Sequence, residues 1–323
     1  MRLKRTQLLQ LVLLTSTILL LMFTSFYPFL RVSGLTSVYP FWSADSYWHK
    51  KIPIGAKIHP NSAQMIAWLK GVPEHHNGHP YINYASWTQA LYDAYASTPK
   101  YTIYESGHNK YWYNVPIPNG ATSPTDSDSS VGIIDWNNRI YYSLWRLQKD
   151  PTTGKWSCGS AGAWSLDGTG LTPDGTWNTG ASSMGFLGHV IRPEEIEAGV
   201  INHPLACGLK WPKATRVYPP AASRDARGST DPYAIPFGAR IQLDPSINLD
   251  SLGLSRTAKI IAKAMQKYGI VVKEMAGSFC IYAEHDITAN WGADMNQAYS
   301  DIFNKLPADW RVIDYSVFGA VEK

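Results

Sequence analysis

The chain is predicted to be mainly β: a β-sandwich or jelly roll with a few appended helices. Short runs of β-forming residues follow one another from about residue 100 onward, each closed by Gly, Pro, Asn or Asp turns. Only a few stretches carry a helical repeat. There is no fixed-period repeat and no alternation of strands with long helices, which leaves the layered all-β architectures as the best match.

Residues 1–31 stand outside that fold. MRLKR is basic, and LLQLVLLTSTILLLMFTSFYPFL carries no charge. A basic flank before an apolar run reads as a secretory signal peptide or signal anchor. The run exceeds a usual signal core of roughly 7–15 residues and reaches the roughly 20 that span a bilayer. No small-x-small cleavage site stands out behind it; Val32, Ser33 and Gly34 come nearest. The expectation is an uncleaved transmembrane anchor, with a cleaved signal as the alternative, and export of everything beyond it to the outer face of the membrane or the extracellular space.

Residues 32–323 are expected to form one domain, with 32–110 as an extended lead-in. VYPFWSADSYWHKKIPIGAKIHP is Pro-punctuated and irregular. Asn61 precedes a short helix, SAQMIAWLK, with Met65, Ile66 and Leu69 on one side and Gly71 as its stop. EHHNGHP is a polar loop, ASWTQALYDAYAS is ambiguous between helix and strand, and KYTIYES is a strand. NVPIPNGATSPTDSDSS is a long loop. VGIID–WNN–RIYYSLWRLQ reads as a hairpin with a tight polar turn.

KDPTTGK marks the next turn before WSCGSAGAWSLDG, and SMGFLGHVI reads as a buried strand. PEEIEAG begins with Pro at a first helical position and ends at a glycine stop. VINHPLACGLKW and GARIQLD are strands around a long irregular loop, RVYPPAASRDARGSTDPYAIPFG. Ser255 caps the best helix, in which Ala258, Ile261, Ala264, Met265 and Tyr268 recur at helical spacing up to Gly269. IVVKEMAGSFCIYAE reads as a second hairpin, NQAYSDIFNKL as a short helix and WRVIDYSVF as a closing strand.

Charge excludes one class of partner. The chain has 29 basic and 25 acidic residues, but Arg2, Lys4, Arg5 and Arg31 all lie in the acid-free N-terminal segment. The remainder is formally neutral, so no nucleic-acid footprint is present. GxSxG, GxGxxG, P-loop and HExxH signatures are missing, which removes support for nucleotide-dependent and serine-hydrolase chemistry. The 13 Trp and 19 Tyr point elsewhere, because an aromatic face is a platform for the C–H face of a sugar ring.

Candidate chemistry centres on GHVIRPEEIEAGVINHPLAC. Glu194, Glu195 and Glu197 suit the first turns of a short helix through its dipole. His189 and His203 flank that helix, and a strand–helix–strand unit would let them share a cleft as general bases. Asp126 and Asp128 sit in a polar loop before a strand ending at Asp135. Two carboxylates roughly 5–9.5 Å apart across a sugar would serve glycoside hydrolysis. Each of these residues also has a plain reading, as a half-buried histidine or a solvated turn.

Arg240 is a lone cation in an apolar strand and needs a carboxylate or an anionic substrate if it points inward. The expected site is therefore His189, His203 and Asp128 as catalytic groups, with Arg240 and Trp145 contacting substrate. A weak calcium signal in TDSDSS lacks EF-hand spacing. His75, His76 and His79 cluster on a loop without metalloprotease spacing, so no metal is assigned. The three cysteines, Cys158, Cys207 and Cys280, include Cys158–Cys207 as a candidate disulfide pair.

WHKKIPIGAKIHPNSAQMIAWL, VPIPNGA, INHPLACGL, IPFGARIQLD and MQKYGIVVKEMAGS together resemble a widespread set of secreted bacterial proteins of unassigned function. The resemblance covers nearly the whole exported chain and implies export and one shared architecture. It carries over no catalytic residue. The functional expectation is a secreted or surface-anchored glycoside hydrolase or polysaccharide lyase acting on an extracellular glycan. The alternative is a non-catalytic carbohydrate-binding or cell-surface interaction protein, with an envelope structural role as a third reading.

Overall fold

The computed structural model describes residues 41–172 and 179–319. The earlier strands of this part are β1 (Tyr81–Asn83), β2 (Gln89–Ala94), β3 (Lys100–Glu105), β4 (Lys110–Pro116), β5 (Ser130–Asp135), β6 (Ile140–Trp145), β7 (Gln148–Lys149), β8 (Trp156–Cys158) and β9 (Ser160–Ser165). The later ones are β10 (Leu205–Leu209), β11 (Lys213–Val217), β12 (Pro236–Phe237), β13 (Arg240–Leu243), β14 (Ile270–Met275), β15 (Cys280–Tyr282) and β16 (Trp310–Val312). The α-helices are α1 (Ser62–Gly71), α2 (Pro193–Ala198), α3 (Arg256–Lys267) and α4 (Gly292–Lys305). The described chain is thus mostly β, with several sheets and few helices.

Two four-stranded sheets arise from the β-rich middle, ordered β2-β5-β6-β9 and β4-β3-β8-β7. The expected hairpin around Trp136–Arg139 forms, with Ile134 opposite Tyr141. ASWTQALYDAYAS resolves as strand β2, parallel to β5. The ambiguity arose because β2 is buried on both faces, the polar Gln89 included, so no polar alternation marks a solvent-facing side. Ala90, Tyr92, Val131, Ile133 and Leu144 face a core shared with Ile103 and Val115 of the other sheet. Leu91, Ile134, Tyr141 and Trp164 belong to the larger core on the opposite side.

The wholly buried Gln89 lies across this sheet. Its amide donates to Ser143 Oγ at 2.9 Å and Ser130 Oγ at 3.2 Å, and its carbonyl accepts the Tyr141 hydroxyl. Gly132 makes room for it, since a Cβ there would sit 2.5 Å from Gln89 Oε1.

The remaining strands build a six-stranded sheet ordered β1-β15-β10-β14-β13-β16, on which α1, α3 and α4 pack. Here two expectations are corrected. IVVKEMAGSFCIYAE is not a hairpin: β10 lies between β14 and β15, parallel to the first and antiparallel to the second. LACGL is buried at every position, and such a strand gains most from two neighbours in a sheet centre. SMGFLGHVI is not a strand but a 3-10 turn at Phe186–Gly188, with a single bridge from Ile191 to Ala283. Gly185 lets that turn approach Tyr141 and Trp164, and Gly188 lets it approach Trp48.

Parallel neighbours occur in all four sheets: β1–β15 and β10–β14, β2–β5, β3–β8, and β11–β12. An antiparallel jelly roll has no such pairs. The helical expectations at 62–71, 193–198 and 256–267 are met. Ser255 Oγ accepts the Ala258 N–H at 3.4 Å, and Gly199 ends α2 in the left-handed region at φ 80°.

Among the described residues no helix is long and apolar enough to cross a membrane, so the expected transmembrane anchor finds no support there. Its segment, residues 1–31, lies outside the described residues. The candidate Cys158–Cys207 disulfide is absent, because Cys158 lies in the smaller core and Cys207 in the larger one.

Candidate functional site

The two histidines do not reach solvent. His189 is 0% exposed, its ring edge-on to Trp48 at 4.9 Å and facing Phe186 at 6.0 Å. Among the described residues neither ring nitrogen has a hydrogen-bond partner. Burial pushes this imidazole well below its ordinary range, and Lys273 and His203 push the same way, so the ring is neutral.

His203 is also 0% exposed. Its Nδ1 lies 2.8 Å from the Pro204 carbonyl and its Nε2 stands 2.9 Å from Glu195 Oε1. Glu195 in turn closes the start of α2, accepting the Arg192 N–H at 3.0 Å. The short helix therefore uses this acid as a cap. The expectation that both rings line one open cleft is corrected: the space around them is filled by Trp48, Phe186 and α2.

Asp128 and Trp145 do come together. The Trp145 indole donates to Asp128 Oδ1 at 3.4 Å, and the Arg146 guanidinium lies 4.3 Å over the ring. Trp145 also abuts Gly159, where a Cβ would come within 2.6 Å of the ring. These contacts leave less of its face open for stacking. Burial raises the Asp128 carboxyl above its ordinary range; the Trp145 N–H opposes this, while Asp126 and Glu274 add to it.

The neighbouring Asp126 carboxylate is spent on the backbone. It accepts N–H groups from Trp87 at 2.8 Å, Asp128 at 2.8 Å and Ser129 at 3.0 Å. This is an Asx turn that ties the loop to the Trp87 segment.

Arg240 is apart from all of these. It is buried on β13 with its guanidinium 3.9 Å over Phe318 and 4.4 Å over Tyr47, and it donates to the Lys50 carbonyl at 2.8 Å. An aromatic box supplies the partner that the sequence reading sought in an anion.

Of the EHHNGH histidines, His75 is buried with Nδ1 on the Leu69 carbonyl at 2.8 Å and Nε2 accepting the Lys210 N–H at 2.9 Å. His76 and His79 pack against Phe303. Among the described residues, no group of three or more ligating side chains is placed to hold a metal ion.

An open aromatic surface lies on the β3–β4 hairpin. Tyr104 faces Tyr111 across the strands with centroids 5.2 Å apart, and Tyr113 follows at 6.3 Å. Tyr111 is 56% and Tyr113 69% exposed, while Ile103 and Val115 fill the core on the other face. A β-bulge makes this possible. The register shifts between Tyr101 and Ile103, with Asn114 in the left-handed region at φ 56°. The extra residue keeps Tyr113 outward while turning Val115 inward.

Glu105 anchors the hairpin from beneath, taking N–H groups from Trp112 at 2.6 Å and from His108, with Lys110 at 3.4 Å. Burial pushes its carboxyl up, but these partners outweigh it and hold it below the ordinary range. The signal for this surface was present as tyrosines at i and i+2 in KYWYN, beside KYTIYES.

No family model matches the chain, and neither a curated protein nor a solved structure does.

Proposed function

We propose that this is an exported, non-catalytic carbohydrate-binding protein that holds a polysaccharide on the outer face of the β3–β4 hairpin. The observation that carries the reading is the row Tyr104, Tyr111 and Tyr113, three phenol rings in sequence on one solvent-facing surface. Large aromatics exposed together lose free energy to water unless something covers them. A pyranose ring offers a C–H face for the phenol plane and hydroxyls for the rim. Asn109, which accepts the Tyr104 hydroxyl at 3.1 Å, supplies a polar group at its edge.

The rings are not coplanar. Tyr104 and Tyr111 are inclined by 48°, Tyr111 and Tyr113 by 30°. A flat crystalline surface needs parallel platforms, whereas a single twisted chain meets rings that turn along its length. The expected ligand is therefore a soluble, individually dispersed glycan chain. The two four-stranded sheets, which share the smaller core, are read as a small β-sandwich presenting this face.

The test is a binding panel of soluble β-glucans, xylan and mannan against crystalline cellulose and chitin. Tyr111→Ala and Tyr113→Ala should each weaken binding about five- to tenfold. Both positions are exposed, so the fold should be unchanged by circular dichroism. No binding to any soluble glycan, or undiminished binding by the double variant, sinks the reading.

A second reading keeps glycoside hydrolase or lyase chemistry at Asp128. It is favoured by burial of the Asp128 carboxyl, which raises it above its ordinary range with Asp126 and Glu274 adding to the shift, the direction in which a general acid is tuned. Release of reducing ends or unsaturated products, lost in Asp128→Asn, would support it over pure binding.

A further inference from the structure

Helix α3 carries a line of lysines at i, i+4 and i+8: Lys259, Lys263 and Lys267. Lys259 is paired with Asp250 at 2.9 Å. The other two border an open cavity of about 490 Å³ alongside the helix. Its apolar walls include Ile52 and Ile54 of the lead-in, Val200 and Ile201 after α2, and Ile260 of α3. Arg311 of β16 also lines it, with Gln242 and Gln266.

Two features set this cavity apart from a packing defect. Ile54 is fully exposed at its lip and Val200 is partly so, which places uncovered aliphatic surface beside an apolar hollow. The cavity is bordered by three cations and by no acidic residue. Asp244, next to the lining Pro245, accepts the Ser246 N–H at 2.8 Å and lies beside Arg311. Arg311 directs its Nε to Gln242 Oε1 at 2.8 Å. The volume falls within the roughly 300–1,000 Å³ range of small-molecule sites.

We infer that this cavity binds a single-chain amphiphile with an anionic head, of the fatty-acid class. The alkyl chain lies between Ile54, Val200, Ile201 and Ile260, and the carboxylate meets Lys263, Lys267 and Arg311. Burying a chain in the cavity removes its apolar surface and that of Ile54 from water. The cationic border selects the sign of the head group. The site is separate from the tyrosine face and stands whether or not that surface binds glycan.

Calorimetric titration of the full chain with laurate, dodecanol and dodecylammonium below their aggregation concentrations tests this. The expected order is laurate first, dodecanol about tenfold weaker, and dodecylammonium undetectable. Lys263→Glu with Lys267→Glu should weaken laurate about tenfold and leave dodecanol unchanged, and Ile54→Ser should weaken both. All three positions are exposed, so these variants should keep the fold. Absence of laurate binding, equal binding of dodecylammonium, or unaltered affinity in both variants overturns the inference. Cosedimentation with phosphatidylglycerol vesicles without binding of monomeric laurate would also overturn it, in favour of a lipid surface.

Discussion

Glu105 on β3 takes the indole N–H of Trp112 on β4 at 2.6 Å, from beneath the row of exposed tyrosines. Its carboxylate is buried with His108 and Lys110 also directed at it. The hairpin that displays the aromatic face is therefore held by one charged acceptor.

Stability should follow that charge. In the folded chain the Glu105 carboxyl lies below its ordinary value of 4.5. The stabilisation is complete above that value and is lost as pH falls through the depressed folded one. Urea midpoints should drop on acidification below about pH 5, and Glu105→Gln should flatten that drop. The variant should cost about 2–3 kcal/mol at neutral pH. An unchanged acid limb in the variant would contradict the assignment.

Asn114 should tolerate glycine and reject a β-branched residue. Its φ of 56° suits Asn or Gly. Asn114→Gly is expected within a few tenths of a kcal/mol of the parent, and Asn114→Val about 1–2 kcal/mol below it. Because the bulge aims Tyr113, the Val variant should also weaken glycan binding, measured by affinity electrophoresis.

His203→Ala should damage folding and spare binding. The ring is sealed between Pro204 and Glu195, and its removal leaves a cavity and strips a contact from the acid. The expected loss is about 2–4 kcal/mol by thermal or urea denaturation. Below its melting temperature the variant should bind glycan like the parent. Loss of binding with full stability would return this residue to the functional site.

Gly132→Ala probes the centre of the β2-β5-β6-β9 sheet. The added methyl would come 2.4 Å from Leu91 Cδ2 and 2.5 Å from Gln89 Oε1. Overpacking of this kind costs about 1–3 kcal/mol. A calorimetric scan showing no loss would mean that Gln89 can leave its hydroxyl network freely.

Much of the local structure was legible because its causes lie within a few residues. Ser255 and Gly199 punctuate helices through their own backbone neighbours, and the Trp136–Arg139 turn closes a hairpin on the spot. Of the five residues expected at one site, Asp128 and Trp145 touch, since the loop before β5 lies against the end of β6. The same reading could not place the histidines. His189 and His203 are polar residues whose burial is imposed by Trp48 and by α2, segments distant in sequence or facing an unknown way.

The sequence alone determined the helices at 62–71, 193–198 and 256–267, the turn at Trp136–Arg139, the neutral balance of charge beyond residue 31, and the wealth of aromatic rings. These follow from composition and short-range periodicity. Tertiary structure alone decided that β10 separates β14 from β15, that Arg240 faces aromatic rings instead of an acid, and that Tyr111 and Tyr113 face water beside the half-buried Tyr104. Each of those outcomes depends on which distant surface arrives opposite a residue, and burial in a sheet is settled by neighbours that local pattern does not name.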